Sequence, residues 1–224
     1  VNNVFIIGLH RTGSTFLESL LYKNIEGCTF RGKIINVRDN AAYVKTTFPT
    51  IIDEFSKDKR YPQDGYILIH RNPYMWVERF LYNDSDTDAD FEGNIFGNNF
   101  LDFKLCLKEK VFGESIYNLD ELLRLYKNFY TEWMNTSVSL YVCKYEDLLP
   151  VNRSSLEGIS NWSSSQVKDE ISMPNTVKYS SKFNSERLDY NIAQKPTRLN
   201  GKTIDKINNV LGVNLINSLG YEIL

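Results

Sequence analysis

Apolar and polar positions fall along this chain in blocks that read as strand, loop and helix in repeated order. Val4 to Ile7 is a short apolar run closed by Gly8. After a glycine-bearing turn, Ser14 to Tyr22 carries apolar residues at 16, 17, 20 and 21. A continuous run followed by a 3.6-residue period predicts a buried strand and then an amphipathic helix. Ala42 to Phe48 reads as a second strand, and Ile51 to Phe55 has helical spacing. Tyr66 to Ile69 is again continuous and apolar, ending at His70-Arg71-Asn72-Pro73. Proline suits the first turn of the helix predicted to run on through Tyr74 to Tyr82. Ser115 to Met134, apolar at 116, 119, 122, 123, 126, 129, 130 and 133, predicts a long amphipathic helix. Val138 to Tyr145 alternates and is rich in β-formers, so it predicts a strand. Thr203 to Leu211 predicts a helix introduced by Asn200-Gly201. Strands alternating with helices imply an α/β fold with a central parallel sheet covered on both faces. No internal repeat or Pro/Ser-rich linker divides the chain, so one domain is expected over residues 1–224. Residues 83–99 and 172–198 lack periodicity, which is the pattern of functional loops or lids.

Composition narrows the class. The chain has 224 residues, 42% of them hydrophobic, which suffices for a core without disulfides and excludes a disordered or fibrous chain. With 26 Lys+Arg against 28 Asp+Glu the net charge is −2, which argues against general nucleic-acid binding but leaves room for a local basic pocket. No apolar run reaches the roughly 20 residues that span a bilayer. The chain opens directly on Val4-Phe5-Ile6-Ile7 without a signal peptide, so a cytoplasmic location is expected. Because it does not open on Met, the lumenal domain of a longer anchored protein is the alternative. Cys28, Cys106 and Cys143 match no metal or redox spacing and read as buried reduced thiols. The sequons at Asn83, Asn135, Asn152 and Asn161 are about as many as chance supplies, so they do not argue for secretion.

The candidate chemistry begins in the first loop, Gly8-Leu9-His10-Arg11-Thr12-Gly13-Ser14-Thr15. It follows a strand and opens a helix, the setting in which backbone N–H groups cradle a phosphate and the helix dipole favours negative charge. The spacing approaches the ATP-binding pattern G-x-x-x-x-G-K-[ST]. However, Ser14 holds the Lys position that a kinase or ATPase needs at the β/γ-phosphates. The cation stands earlier, at Arg11.

A cation before Thr-Gly-Ser-Thr in this setting resembles the sulfotransferase superfamily, whose [KR]-[ST]-G-[ST]-[ST] loop binds 3′-phosphoadenosine 5′-phosphosulfate (PAPS). Arg11 to Thr15 fit every position. The resemblance implies a P-loop NTPase-like three-layer sandwich and Arg11 at the sulfate-bridging oxygen. It further implies Thr12, Gly13, Ser14 and Thr15 on the 5′-phosphate, with Phe16 against adenine. The family's second site is a strand ending in Arg-[NDE]-Pro/Ala with Ser eight residues after the Arg, both on the 3′-phosphate. Here Arg71-Asn72-Pro73 matches, and Arg79 stands in place of the serine. Tyr145-Glu146-Asp147 matches a third family motif, with Tyr145 near adenine. The helix before it, with Tyr126, Phe129 and Trp133, is also similar to the family's pattern, although Phe129 and Trp133 read most simply as core packing. Lys182, within Lys178 to Arg187, matches the basic loop that closes over the 3′-phosphate.

The implied reaction is sulfuryl transfer from PAPS to a hydroxyl or amine of a small-molecule or glycan acceptor. It releases 3′,5′-diphosphoadenosine (PAP) and requires no metal. The family's Lys-Thr-His-x-Pro stretch corresponds to Lys45-Thr46-Thr47-Phe48-Pro49, so Lys45 matches and the base position holds Thr47. His10, inside the loop, is the histidine that could face the acceptor, and His70 ends a strand. Two rivals stay open: a P-loop kinase using ATP, and a PAPS- or PAP-binding module that has lost catalysis. Gly201-Lys202-Thr203 looks like the end of a P-loop but lacks the preceding glycine and strand. It reads as a turn with Thr203 as helix cap. The acids from Asp84 to Asp90 lack the glycine and closing Glu of a calcium loop and read as a solvated acidic loop.

Overall fold

A computed structural model of the protein describes residues 4–9, 11–26, 65–81, 118–149, 151–174, 196 and 198–224. They fall in two compact units.

The first unit is mixed α/β. Strands β1 (Val4–Ile7), β3 (Gly65–His70) and β4 (Leu140–Lys144) form a parallel three-stranded sheet in the order β1-β3-β4. The middle strand is buried at all six positions, which is why its sequence reads as an unbroken apolar run rather than an alternation. Pairing Ile67 with Ile6 and Ile69 with Cys143 puts these four on one face. Helix α1 (Ser14–Asn24) lays Phe16, Leu17, Leu20 and Leu21 into the same core, and α4 (Arg153–Ser163) adds Leu156 and Ile159. The thiol of Cys143 is free and buried, and burial pushes its pKa far up, as expected for a packing residue.

Helix α1 runs two residues beyond its predicted end. It stops where β2 (Ile25–Glu26) pairs antiparallel with β5 (Gln166–Val167). The buried Asn24 makes this junction. Its Nδ2 donates to the carbonyls of Leu20 (2.8 Å) and Ser172 (2.9 Å), and its Oδ1 accepts from the Ser172 N–H at 2.6 Å. A glycine at 158 on α4 lets the Tyr141 ring lie against that helix, since a Cβ there would meet its hydroxyl at 2.1 Å.

The second unit is helical: α2 (Pro73–Leu81), α3 (Leu119–Met134), α5 (Gly201–Leu211) and α6 (Val213–Ser218). Helix α3 begins at Leu119, four residues later than its spacing alone suggested. Asn118 there has extended backbone, accepts from the Glu121 N–H and donates to the Glu121 carboxylate. An asparagine that accepts from the N–H three residues on is a favoured helix cap. Phe129 and Trp133 are buried core residues, as expected, and so is Tyr126, which packs on Trp76 of α2 with ring centroids 4.8 Å apart. Helix α5 begins at Gly201, and its cap is Asn200, which accepts from the N–H of Thr203. Thr203 therefore sits one turn inside the helix, buried, rather than at the cap, because the Asn side chain reaches the free N–H first. Among the described residues, no helix is long and apolar enough to cross a membrane.

Candidate functional site

The loop between β1 and α1 is shaped by close approach. Gly8 lies against the end of β3, where a Cβ would stand 2.6 Å from Ile69 Cγ2 and 2.8 Å from the Ile69 carbonyl oxygen. Thr12 is fully buried. Its N–H (3.2 Å) and its hydroxyl (2.6 Å) both donate to the carbonyl of Leu9, closing the turn from within. Arg11 has φ 69° and Gly13 φ 97°. A left-handed conformation is ordinary for glycine but costs an arginine about 1–2 kcal/mol. Strain of that kind, held in place by its surroundings, concentrates at functional loops.

Helix α1 starts at this loop without the usual help. Gly13 occupies the cap position, no side chain caps the helix, and its first turn contains no acid. The first turn of any helix presents N–H groups with no intrahelical acceptor, together with the positive end of the dipole. Ser14 opens that turn half-buried, and Thr15 follows it in the helix.

Beside the loop, β3 is followed by Arg71, buried at 5% exposure, and Asn72, also buried. The residues that follow β4 hold this strand end. The N–H of Tyr145 donates to the His70 carbonyl at 2.8 Å, and the Asn72 N–H donates to Glu146 Oε1 at 3.0 Å. The Arg71 guanidinium lies over the Tyr145 ring, 4.9 Å from its centroid. The same ring touches the loop: a Cβ on Gly13 would fall 2.1 Å from Tyr145 Cδ2. Phe16 packs edge-on to Tyr145 at 5.8 Å. His70 is buried, and burial, with Lys144 beside it, lowers its pKa to about 3. It is neutral at physiological pH and faces the interior, as a structural histidine does.

The structure thus brings the Arg11–Ser14 loop, Arg71 and Tyr145 together in the first unit. Phe16 is fully buried in the core beneath them. Arg79 lies in the last turn of α2, in the second unit. His10, Lys45, Thr47, Lys182 and the Asp84 to Asp90 run lie outside the described residues, as does the expected strand Ala42 to Phe48. Sequence reasoning did not single out Glu146 as the residue that grips Asn72. A carboxylate directly after a strand-ending Tyr was the visible signal, but its partner is 74 residues away. No family model matches the chain, and no curated protein matches it.

Proposed function

We propose that the protein is a sulfotransferase of P-loop NTPase-like three-layer fold. In this reading it moves a sulfuryl group from PAPS to a hydroxyl or amine acceptor. The observation that carries the reading is that Gly13 of the Arg11–Ser14 loop, at an uncapped helix start, and the Arg71 guanidinium both lie against the Tyr145 ring. A nucleotide with phosphate groups at both its 3′ and 5′ positions fits two separate cationic sites better than a nucleotide with a single phosphate chain.

The residues present fit PAPS. The loop supplies a helix start with no competing acid, and Arg71 is a buried guanidinium held in a fixed orientation. When bound, PAPS supplies an activated sulfuryl group. Arg11 would stabilise negative charge developing at the bridging oxygen, a fixed electrostatic contact that acts most strongly in the transition state. The Thr12 hydroxyl and N–H already bond Leu9, so the 5′-phosphate falls to the N–H groups of the helix start and to Ser14. Arg71 would read the 3′-phosphate with paired donors. Lys45 and His10 are the proposal's remaining catalytic residues. Buried, neutral His70 is not available to take the acceptor's proton.

The test is transfer of labelled sulfate from PAPS to a panel of hydroxyl and amine acceptors with a chelator present. Transfer to at least one acceptor is expected. Magnesium-dependent ATP turnover would instead establish the kinase rival. Tight PAP binding with no transfer to any acceptor would establish a non-catalytic module.

A further inference from the structure

We propose that Tyr145 and Glu146 form a clamp that fixes Arg71 in register with the Arg11–Ser14 loop, and that Tyr145 is a positioning residue rather than a surface for the nucleotide base. Three observations converge on it. Consecutive residues at the end of β3 are each gripped from the end of β4: His70 through its carbonyl, Arg71 by the ring beneath its guanidinium, and Asn72 by the Glu146 carboxylate. The same ring lies so close to Gly13 that only a residue without a Cβ fits there. A platform for a base needs an open face, yet Tyr145 is only 6% exposed and Phe16 packs against it as well.

The physical consequence is a shared constraint. A guanidinium over an aromatic face is attracted by the ring quadrupole, and when desolvated the contact is strong enough to select one arginine orientation. The loop cannot shift toward the ring without overlap at Gly13. Moving the ring therefore disturbs both the loop and Arg71, although neither is its neighbour in sequence. The phenolic oxygen has no part in either contact, so a phenylalanine should serve as well.

The binding arm of this inference rests on the bisphosphate-nucleotide reading above, whereas its first arm does not. In the free protein, NMR signals of the Gly13 α-protons and the Arg71 side-chain Nε–H should carry ring-current shifts. Both should move together in Tyr145→Leu and stay in place in Tyr145→Phe. If only one of them moves, the clamp is wrong. If Tyr145→Leu does not fold, Tyr145→Met serves in its place, keeping volume without a ring. In the second arm, calorimetry compares PAP with the abasic ribose 3,5-bisphosphate. Tyr145→Leu should weaken both by the same factor, roughly tenfold, and Tyr145→Phe should restore both. Loss confined to PAP would overturn the proposal in favour of a base contact. If the NMR shifts behave as stated while the wild-type protein binds neither bisphosphate, the clamp stands and the nucleotide reading falls.

Discussion

Among the described residues, three helices begin at a capping asparagine, whereas α1 and the short α6 each start at a positive-φ glycine with no side-chain cap. Helices α3, α4 and α5 start at Asn118, Asn152 and Asn200. Each asparagine has extended backbone, and its side chain accepts from the N–H three residues on, at 2.9, 3.0 and 2.9 Å. Helix α1 starts at a left-handed glycine with no side-chain cap, two residues after a strained arginine. A cap contributes about 1 kcal/mol, so leaving it out and adding backbone strain lowers stability twice over. The difference teaches that a side-chain cap secures three of these starts and is absent at α1, where the helix dipole and the first-turn N–H groups are what an anion site uses.

The comparison makes a two-way prediction: changes at the α1 loop should alter binding and turnover, and changes at the asparagine caps should alter stability alone. The largest effect is expected from Arg71→Ala. Removing a buried guanidinium from a phosphate contact costs about 2–5 kcal/mol. PAP affinity should fall accordingly, and AMP affinity should barely change in calorimetry. Equal loss for both ligands would mean that Arg71 supports the fold instead of reading a 3′-phosphate. In the wild type, PAP should bind more tightly than AMP or ATP without magnesium.

Next in size is Arg11. Arg11→Ala should lower the turnover number about 10²–10³-fold with the melting curve intact. Arg11→Gly should lose the same activity yet raise stability by about 1 kcal/mol, because glycine relieves the left-handed strain. Denaturant titration alongside a transfer assay checks both, and an unchanged turnover number would show that this loop is not the sulfate site.

The strand end next to the loop also carries a pH dependence. His70 titrates near 6.5 in the unfolded chain and near 3 in the folded protein. Between those values the unfolded state binds more protons, so stability is full above about pH 7 and falls as the pH drops. About 2 kcal/mol should disappear between pH 7 and pH 5. Urea unfolding at the two pH values measures it, and the loss should shrink in His70→Gln. An equal loss in that variant would show that other groups cause the acid limb.

The smallest effects sharpen the other side of the comparison. Asn152→Ala and Asn200→Ala should each cost about 1 kcal/mol in unfolding free energy. Neither should change PAP affinity. A cap variant that weakened nucleotide binding would break the distinction between the two kinds of helix start.

Much of the fold was legible because it is written in local pattern. The apolar runs at Val4 and Tyr66 and the periodic stretches after Ser14, Pro73 and Asn118 identify their own elements, since burial demands apolar side chains at fixed spacing. The Arg11–Thr15 loop was legible for a similar reason: its glycines, hydroxyls and cation lie within a few residues between a strand and a helix. Other features were not. The two-residue pairing of β2 with β5 has too little pattern to see, and Asn24 looks like any polar helix residue until Ser172 arrives beside it. Helix α4 shows few apolar positions, and only its packing against the sheet core makes its buried face evident.

By itself the sequence determined the order of strands and helices, the cation that precedes the α1 helix start, and the absence of an ATP-type lysine at Ser14. Only the tertiary structure decided what Tyr145, Phe16 and Glu146 do. The motifs of Tyr145 and Phe16 pointed to a nucleotide base and gave Glu146 no role, but folding places Tyr145 between Gly13 and Arg71, Phe16 in the core, and Glu146 on the Asn72 amide. The reason is physical. Periodicity reports which face of an element is buried, because that depends on neighbours three or four residues away. Which partner a buried ring or carboxylate meets depends on parallel strands joined by long crossovers, and no local spacing encodes that meeting.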